Sequence, residues 1–203
     1  EIMNSKGSSV IRKMFEEGQR LMEERGAENV FDFSLGNPDL PTPEPVQKAL
    51  QEIAANDWDH GYMANAGYEK TRASVAKLES KRNDAAFDAA GIVMTCGAAA
   101  ALNITLASLL DPEDEVIVLS PYFPEYLSYV RNYAAQSIIV PCLASGQMDL
   151  AQIEKALSAK TKAIIINSPN NPSGAVYPKE DLEKLAEILE QADQTIYIVS
   201  DEP

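Results

Sequence analysis

The chain has 203 residues, 45% of them hydrophobic and 24% charged, with 31 acidic against 17 basic side chains for a formal net charge of −14. A chain of this size buries roughly 70% of its extended surface, so disorder and fibrous architecture are excluded, and its charge repels nucleic acid and anionic membrane at long range. Two cysteines, Cys96 and Cys142, form no C-x-x-C pair and have no histidine cluster beside them, so neither a disulfide scaffold nor a metal site is expected.

Val10, Ile11, Met14, Phe15, Leu21 and Met22 recur at helical spacing between a Ser8 or Ser9 start signal and a Gly26 stop, which predicts an amphipathic helix. Val30–Leu35 reads as a short strand. GNPDLPTPEP (36–45) then holds four prolines and a glycine in ten residues, which forbids regular structure. Helices are expected over 45–55 and 68–82, around an aromatic, glycine-containing loop, WDHGYMANAGY (58–68). The longest apolar stretch, Cys96–Leu110, is broken by Asn103, Thr105 and Ser108, and is too short and polar to span a membrane. The chain opens on Glu1 without the basic and then apolar start of a signal peptide, so a reducing, cytoplasmic setting is expected.

From residue 91 short β-branched runs alternate with helical stretches, the pattern of an α/β fold. The runs are Ile92–Thr95, Glu115–Leu119, Ser137–Val140, Ala163–Ile166 and Thr195–Val199, expected to be strands buried on both faces of a parallel sheet. Helices are expected over 98–109, 124–134, 149–157 and 179–191, with Pro178 suited to a helix start.

Ligands of doubly wound sheets bind at the carboxyl ends of the strands, so the segments that follow the runs are the candidate ligand-binding elements. TCGAAAALN (95–103) places a glycine before a run of small residues, which suits a phosphate at a helix N-terminus or merely close packing. SPYFPEY (120–126) offers Phe123 as a flat face for an aromatic ligand, or as a cap on the core. NSPNNPSG (167–174) is dense in turn formers and leaves Asn170 and Asn171 available as hydrogen-bond donors. The last run ends in SDEP (200–203), where the Asp201 carboxylate needs a partner, either a protonated ring nitrogen or an internal cap or ion pair. His60 is the single histidine and lies in a loop, which makes nucleophile–histidine catalysis a poor alternative.

In this order the segments from SLGNPD (34–39) to SDEP resemble the class I/II aminotransferases, fold type I enzymes that use pyridoxal 5′-phosphate (PLP). The resemblance implies an α/β fold with a mostly parallel sheet and flanking helices. It assigns Gly36 to the pocket for the substrate carboxylate. By the same resemblance Tyr62 is expected to reach the cofactor phosphate of a neighbouring subunit, and Gly97, Ala98 and Ala99 to form the phosphate-cradling turn. The resemblance further implies that Phe123 stacks on the pyridine ring, Asn171 hydrogen-bonds its phenolic oxygen, and Asp201 pairs with the ring nitrogen. Ala99 departs from relatives that carry a hydroxyl or amide there, leaving only backbone donors.

What the resemblance implies for the whole is an enzyme that moves an amino group from an L-amino acid to a 2-oxo acid through pyridoxamine phosphate. It implies a homodimer with shared active sites. Residues 1–45 would contribute to the small domain, and 46–203 would form the N-terminal portion of the PLP-binding large domain. The Schiff-base lysine and the phosphate- and carboxylate-binding arginines are expected beyond residue 203, so the chain reads as roughly the N-terminal half of an enzyme and is expected to be inactive by itself. The alternatives are a noncatalytic PLP-binding or interaction module, and a PLP-dependent C–S lyase, which releases the amino group where an aminotransferase passes it to a 2-oxo acid.

Overall fold

A computed structural model of the chain describes residues 8–33, 36, 40–56 and 61–203. They fall into two compact units, Glu1–Thr95 and Cys96–Pro203.

The first unit is helical. α1 (Ser8–Arg25) has the predicted bounds, and its exposed face carries Arg20 paired with Glu17 and Glu24. Val30–Phe33 forms no strand: Phe31 and Phe33 are exposed, and no ladder partner lies beside them among the described residues. α2 (Glu44–Ala54) begins with Pro45 in its first turn, where the missing N–H has no acceptor to lose. α3 (Glu69–Asn83) follows a turn at Gly67, whose φ of +94° and contact with Met94 exclude a side chain; a Cβ there would stand 2.8 Å from Met94 Cβ. Arg72 fastens α3 to the turn before it and the segment after it by donating to the carbonyls of Gly67 and Ala89.

The run Ile92–Thr95 is not a strand, contrary to its composition. Its Met94 N–H donates to the Ala66 carbonyl of the turn before α3, at 3.0 Å, so the segment is fastened to a loop and joins no ladder.

The second unit is a three-layer α/β structure. Its order is α4 (Ala98–Leu109), β1 (Glu115–Ser120), α5 (Glu125–Arg131), β2 (Gln136–Pro141), α6 (Leu150–Ala156), β3 (Thr161–Asn167), α7 (Lys179–Glu190) and β4 (Tyr197–Asp201). All strand pairs are parallel and the spatial order is β2-β1-β3-β4. Successive side chains of a strand point to opposite faces, and the two cores follow from that alternation. Val116, Val118, Ala163 and Ile165 pack on one face with Leu102 and Leu106 of α4 and Tyr126 and Val130 of α5. Ile117, Leu119, Ile164 and Ile166 pack on the other with Ile153 of α6 and Leu185 of α7.

Only β1 and β3 are buried along most of their length. β2 and β4 lie at the sheet margins among the described residues, so Ile139 and Ile198 are about two-fifths exposed, against the expectation of burial on both faces. From β1 the chain moves outward to β2 through α5, and from β3 it moves the opposite way to β4 through α7. A right-handed crossover that reverses direction puts its helix on the opposite face, as the two cores show. The direction of winding therefore switches between β1 and β3, and the carboxyl ends of these strands are where sheets of this kind bind their ligands.

Candidate functional site

The carboxyl end of β1 leads through Ser120-Pro121 into Tyr122 and Phe123, and that of β3 leads into the turn 167–174. Three peptide bonds here are cis, Ser120-Pro121, Ser168-Pro169 and Asn171-Pro172. Asp201 closes β4 opposite Asn167, its register partner on β3. Three of the sequence-predicted residues, Phe123, Asn171 and Asp201, thus leave neighbouring strands at the same edge.

Two residues not singled out in the sequence connect them. Asn167, buried to 5% exposure, donates through Nδ2 to the Asp201 carbonyl at 3.0 Å and accepts the Asn171 N–H at Oδ1, at 2.6 Å. One side chain therefore pins the turn to the end of β4. Tyr126, 2% exposed, donates its hydroxyl to Asp201 Oδ2 at 2.5 Å. Its ring stands edge-on to Phe123, centroids 5.6 Å apart at 79°, and its N–H bonds the Phe123 carbonyl. Burial, reinforced by the adjoining carboxylate, pushes the Tyr126 phenol far above the ordinary tyrosine range, so it remains a proton donor. The visible signal for Tyr126 is its place one helical turn after Phe123 in SPYFPEY. Asn167 stood at the head of an Asn- and Pro-rich run that reads simply as a turn.

The Asp201 carboxylate is half-buried, and no lysine or arginine among the described residues pairs with it. An internal cap was one sequence reading, and Tyr126 supplies it to Oδ2. That cap is neutral, so the negative charge is uncompensated. In the adjacent turn Asn170, expected as a free donor, is buried, and its Oδ1 is occupied by the N–H and hydroxyl of Ser173. Asn171 is exposed, and its side-chain amide has no partner among the described residues.

α4 joins β1 through a short connection after its C-terminus, so it runs back along the sheet and its N-terminus lies toward the strands' carboxyl ends. Gly97 precedes it with φ 91° and ψ 169°, a conformation essentially restricted to glycine, and as the N-cap residue it makes no side-chain cap bond. The first-turn N–H groups, beginning with Ala98 and Ala99, have no intrahelical acceptors, and the positive end of the helix dipole lies behind them. A Cβ at Gly97 would meet no atom within 4 Å. Gly97→Ala is therefore expected to cost about 1–3 kcal/mol through backbone strain alone; urea denaturation at wild-type stability would show that the turn relaxes without cost.

Gly36 and Tyr62 belong to the first unit, and both are exposed. Ser34, Leu35 and Asn37–Asp39 of the SLGNPD segment lie outside the described residues, as does His60. Among the described residues no helix is long and apolar enough to cross a membrane.

A family profile described as aminotransferase class I and II matches residues 28–202. The chain is 34% identical over 176 residues to a probable aspartate/prephenate aminotransferase of Aquifex aeolicus, covering 86% of this chain and 44% of the relative. It is 38% identical over 172 residues to the aspartate/prephenate aminotransferase of Thermus thermophilus, covering 84% and 44%. The crystal structure of an amino transferase from Eubacterium rectale superposes with a TM-score of 0.90 at 40% identity, covering 96% of this chain and 51% of that one. The chain thus spans about half the length of the relatives it matches.

Proposed function

The chain belongs to the class I and II aminotransferase family, and from that premise we propose that it forms the cofactor-binding part of a PLP-dependent enzyme that transfers an amino group from an L-amino acid to a 2-oxo acid. The observation that carries this reading is the Asp201 carboxylate, fixed by a neutral phenol, lacking a cationic partner among the described residues, and placed at the strand ends beside Asn171. The donor set fits the cofactor. A protonated pyridine nitrogen supplies the charge that Asp201 lacks, the free amide of Asn171 suits the phenolic oxygen, and the start of α4 suits a phosphate.

When bound, PLP supplies an electron sink for the negative charge that develops at the amino acid's α-carbon. Asp201 holds the proton on the ring nitrogen, which keeps that sink effective. Asn171 donates to the phenolic oxygen, and Phe123 presses on the ring face and excludes water from it. The N–H groups from Gly97 to Ala99 hold the phosphate, with no side-chain hydroxyl or amide from Ala99 to help. Gly36 leaves room for the substrate carboxylate. Tyr62, fully exposed, extends to the cofactor phosphate of a second subunit, which makes the enzyme a homodimer. Residues 1–45 serve the small domain and 46–203 the large one, in an enzyme of amino-acid biosynthesis in the cytoplasm. Aspartate, named for the Aquifex and Thermus relatives, is the first donor to assay.

The full-length protein, incubated with equimolar PLP and reduced with borohydride, is expected to gain one cofactor mass on a lysine outside residues 1–203, and to pass the amino group of aspartate to 2-oxoglutarate. An adduct on any of the eleven lysines of this chain, or none at all, overturns the reading. Release of the amino group as ammonia would assign a lyase.

A further inference from the structure

Tyr126 touches two of the side chains that the cofactor reading assigns to the ring, although nothing in that reading needs a tyrosine at this position. Its hydroxyl donates to Asp201 Oδ2, and its ring edge meets Phe123. The terminal torsion of an aspartate is broad, with little preference of its own, so a half-buried carboxylate without an ion-pair partner has no internal reason to hold one orientation. A single directional bond from an enclosed donor removes that freedom. It also leaves Oδ1 as the oxygen with no protein partner among the described residues. The donor is itself constrained, because Tyr126 sits within the core of α4, α5 and β1, among Leu102, Leu106 and Val118.

We propose that Tyr126 is a positioning residue of the cofactor site: its hydroxyl fixes the Asp201 carboxylate through one oxygen so that the other meets the ring nitrogen, while its ring sets the tilt of Phe123. This rests on the assignment of Asp201 to the ring nitrogen. Tyr126 acts only through its neighbours and does not touch the cofactor.

A double-mutant cycle on the full-length holoenzyme tests the proposal, read as the PLP dissociation constant together with the induced circular dichroism of the bound cofactor band. Tyr126→Phe keeps the ring and its packing and removes one oxygen. It is expected to weaken PLP binding about tenfold, the low end of the scale of one hydrogen bond to a charged group, and to reduce the induced dichroism. In the Asp201→Asn background the same change is expected to cause no further loss of affinity, because no carboxylate is left for the hydroxyl to turn toward the ring nitrogen. Additive effects overturn the proposal, since a purely structural role would weaken both backgrounds equally. Wild-type affinity and dichroism in Tyr126→Phe overturn it as well and leave the cofactor assignment standing. A Tyr126→Phe protein that fails to fold while Asp201→Asn folds also overturns it, because the hydroxyl would then serve the fold through something other than Asp201. A wild-type protein that binds no PLP removes the assignment and the proposal together.

Discussion

Replacing Asp201 by asparagine is expected to lower the turnover number by about two to three powers of ten while leaving the fold intact. The side chains have the same shape, and the two interactions that anchor this end of β4, its register with β3 and the bond from Asn167 Nδ2, use the main chain of residue 201. What changes is the direction of hydrogen bonding. Tyr126 is enclosed and held protonated, so it continues to donate and takes the single amide oxygen as its acceptor. The amide NH2 is then left facing the position proposed for the ring nitrogen, a donor where an acceptor stood, and the nitrogen loses its reason to hold a proton. Removing one partner of an enclosed ion pair costs about 3–5 kcal/mol, and at 1.36 kcal/mol per factor of ten the low end of that range suits a half-buried site. Steady-state rates with aspartate and 2-oxoglutarate, alongside thermal melts of both proteins, check the expectation. An Asp201→Asn enzyme within about threefold of wild-type turnover, far inside the effect of one such pair, would remove Asp201 from the ring nitrogen.

The fold was legible where burial is symmetrical and ambiguous where it is not. β1 and β3 stand out as apolar runs because every residue of Val116–Leu119 and Ala163–Ile166 packs against a core, and α4 has the bounds that its glycine and alanines predict. Ile92–Thr95 has the same composition as a true strand, yet its Met94 N–H reaches Ala66. Composition reports that a segment is apolar and extended, and says nothing about where its hydrogen-bonding partner lies. The same limit explains why Ile198 and Ile139, chemically equal to Ile164, end at the sheet margins.

At the site, Asp201 announced itself as a charge at the end of an apolar run, and the need for a partner followed from elementary electrostatics. The identity of that partner did not, because Tyr126 lies 75 residues away in sequence. Its approach depends on the winding reversal that seats α5 behind β1. Asn167 was hidden for a different reason: an asparagine before Ser-Pro is an ordinary turn former. Only the register with Asp201 turns it into a bracket between two strands.

The enclosed phenols that shape this site also set an alkaline limit on the fold. Tyr126 and Tyr177 are 2% and 4% exposed and Tyr129 is 8% exposed, and burial raises all three pKa values. Secondary causes act in the same direction: Asp201 on Tyr126, Glu125 on Tyr129 through a 2.6 Å bond, and Cys142 on Tyr177 across 3.9 Å. The Cys142 thiol is itself pushed up by burial. An unfolded chain releases its phenolic protons near pH 10 or so, whereas the folded chain retains them. The stabilisation from these groups is therefore complete below about pH 10 and is lost progressively as the pH climbs toward the folded-state values. Each retained proton steepens the fall by about 1.4 kcal/mol per pH unit. With all three phenols retaining their protons, the expected slope is roughly 4 kcal/mol per unit between about pH 10.5 and 12. At the low end of the usual stability range of about 5–15 kcal/mol, this brings unfolding within about two pH units. Urea denaturation at a series of alkaline pH values is expected to show this slope, with tyrosinate absorbance near 295 nm, or about that, growing together with the loss of helical circular dichroism. Tyr177→Phe is expected to remove about 1.4 kcal/mol per unit from the slope. Tyrosinate absorbance that reaches its full value while urea midpoints stay level would show that the phenols are open to solvent and that the core around Asp201 is not closed as described.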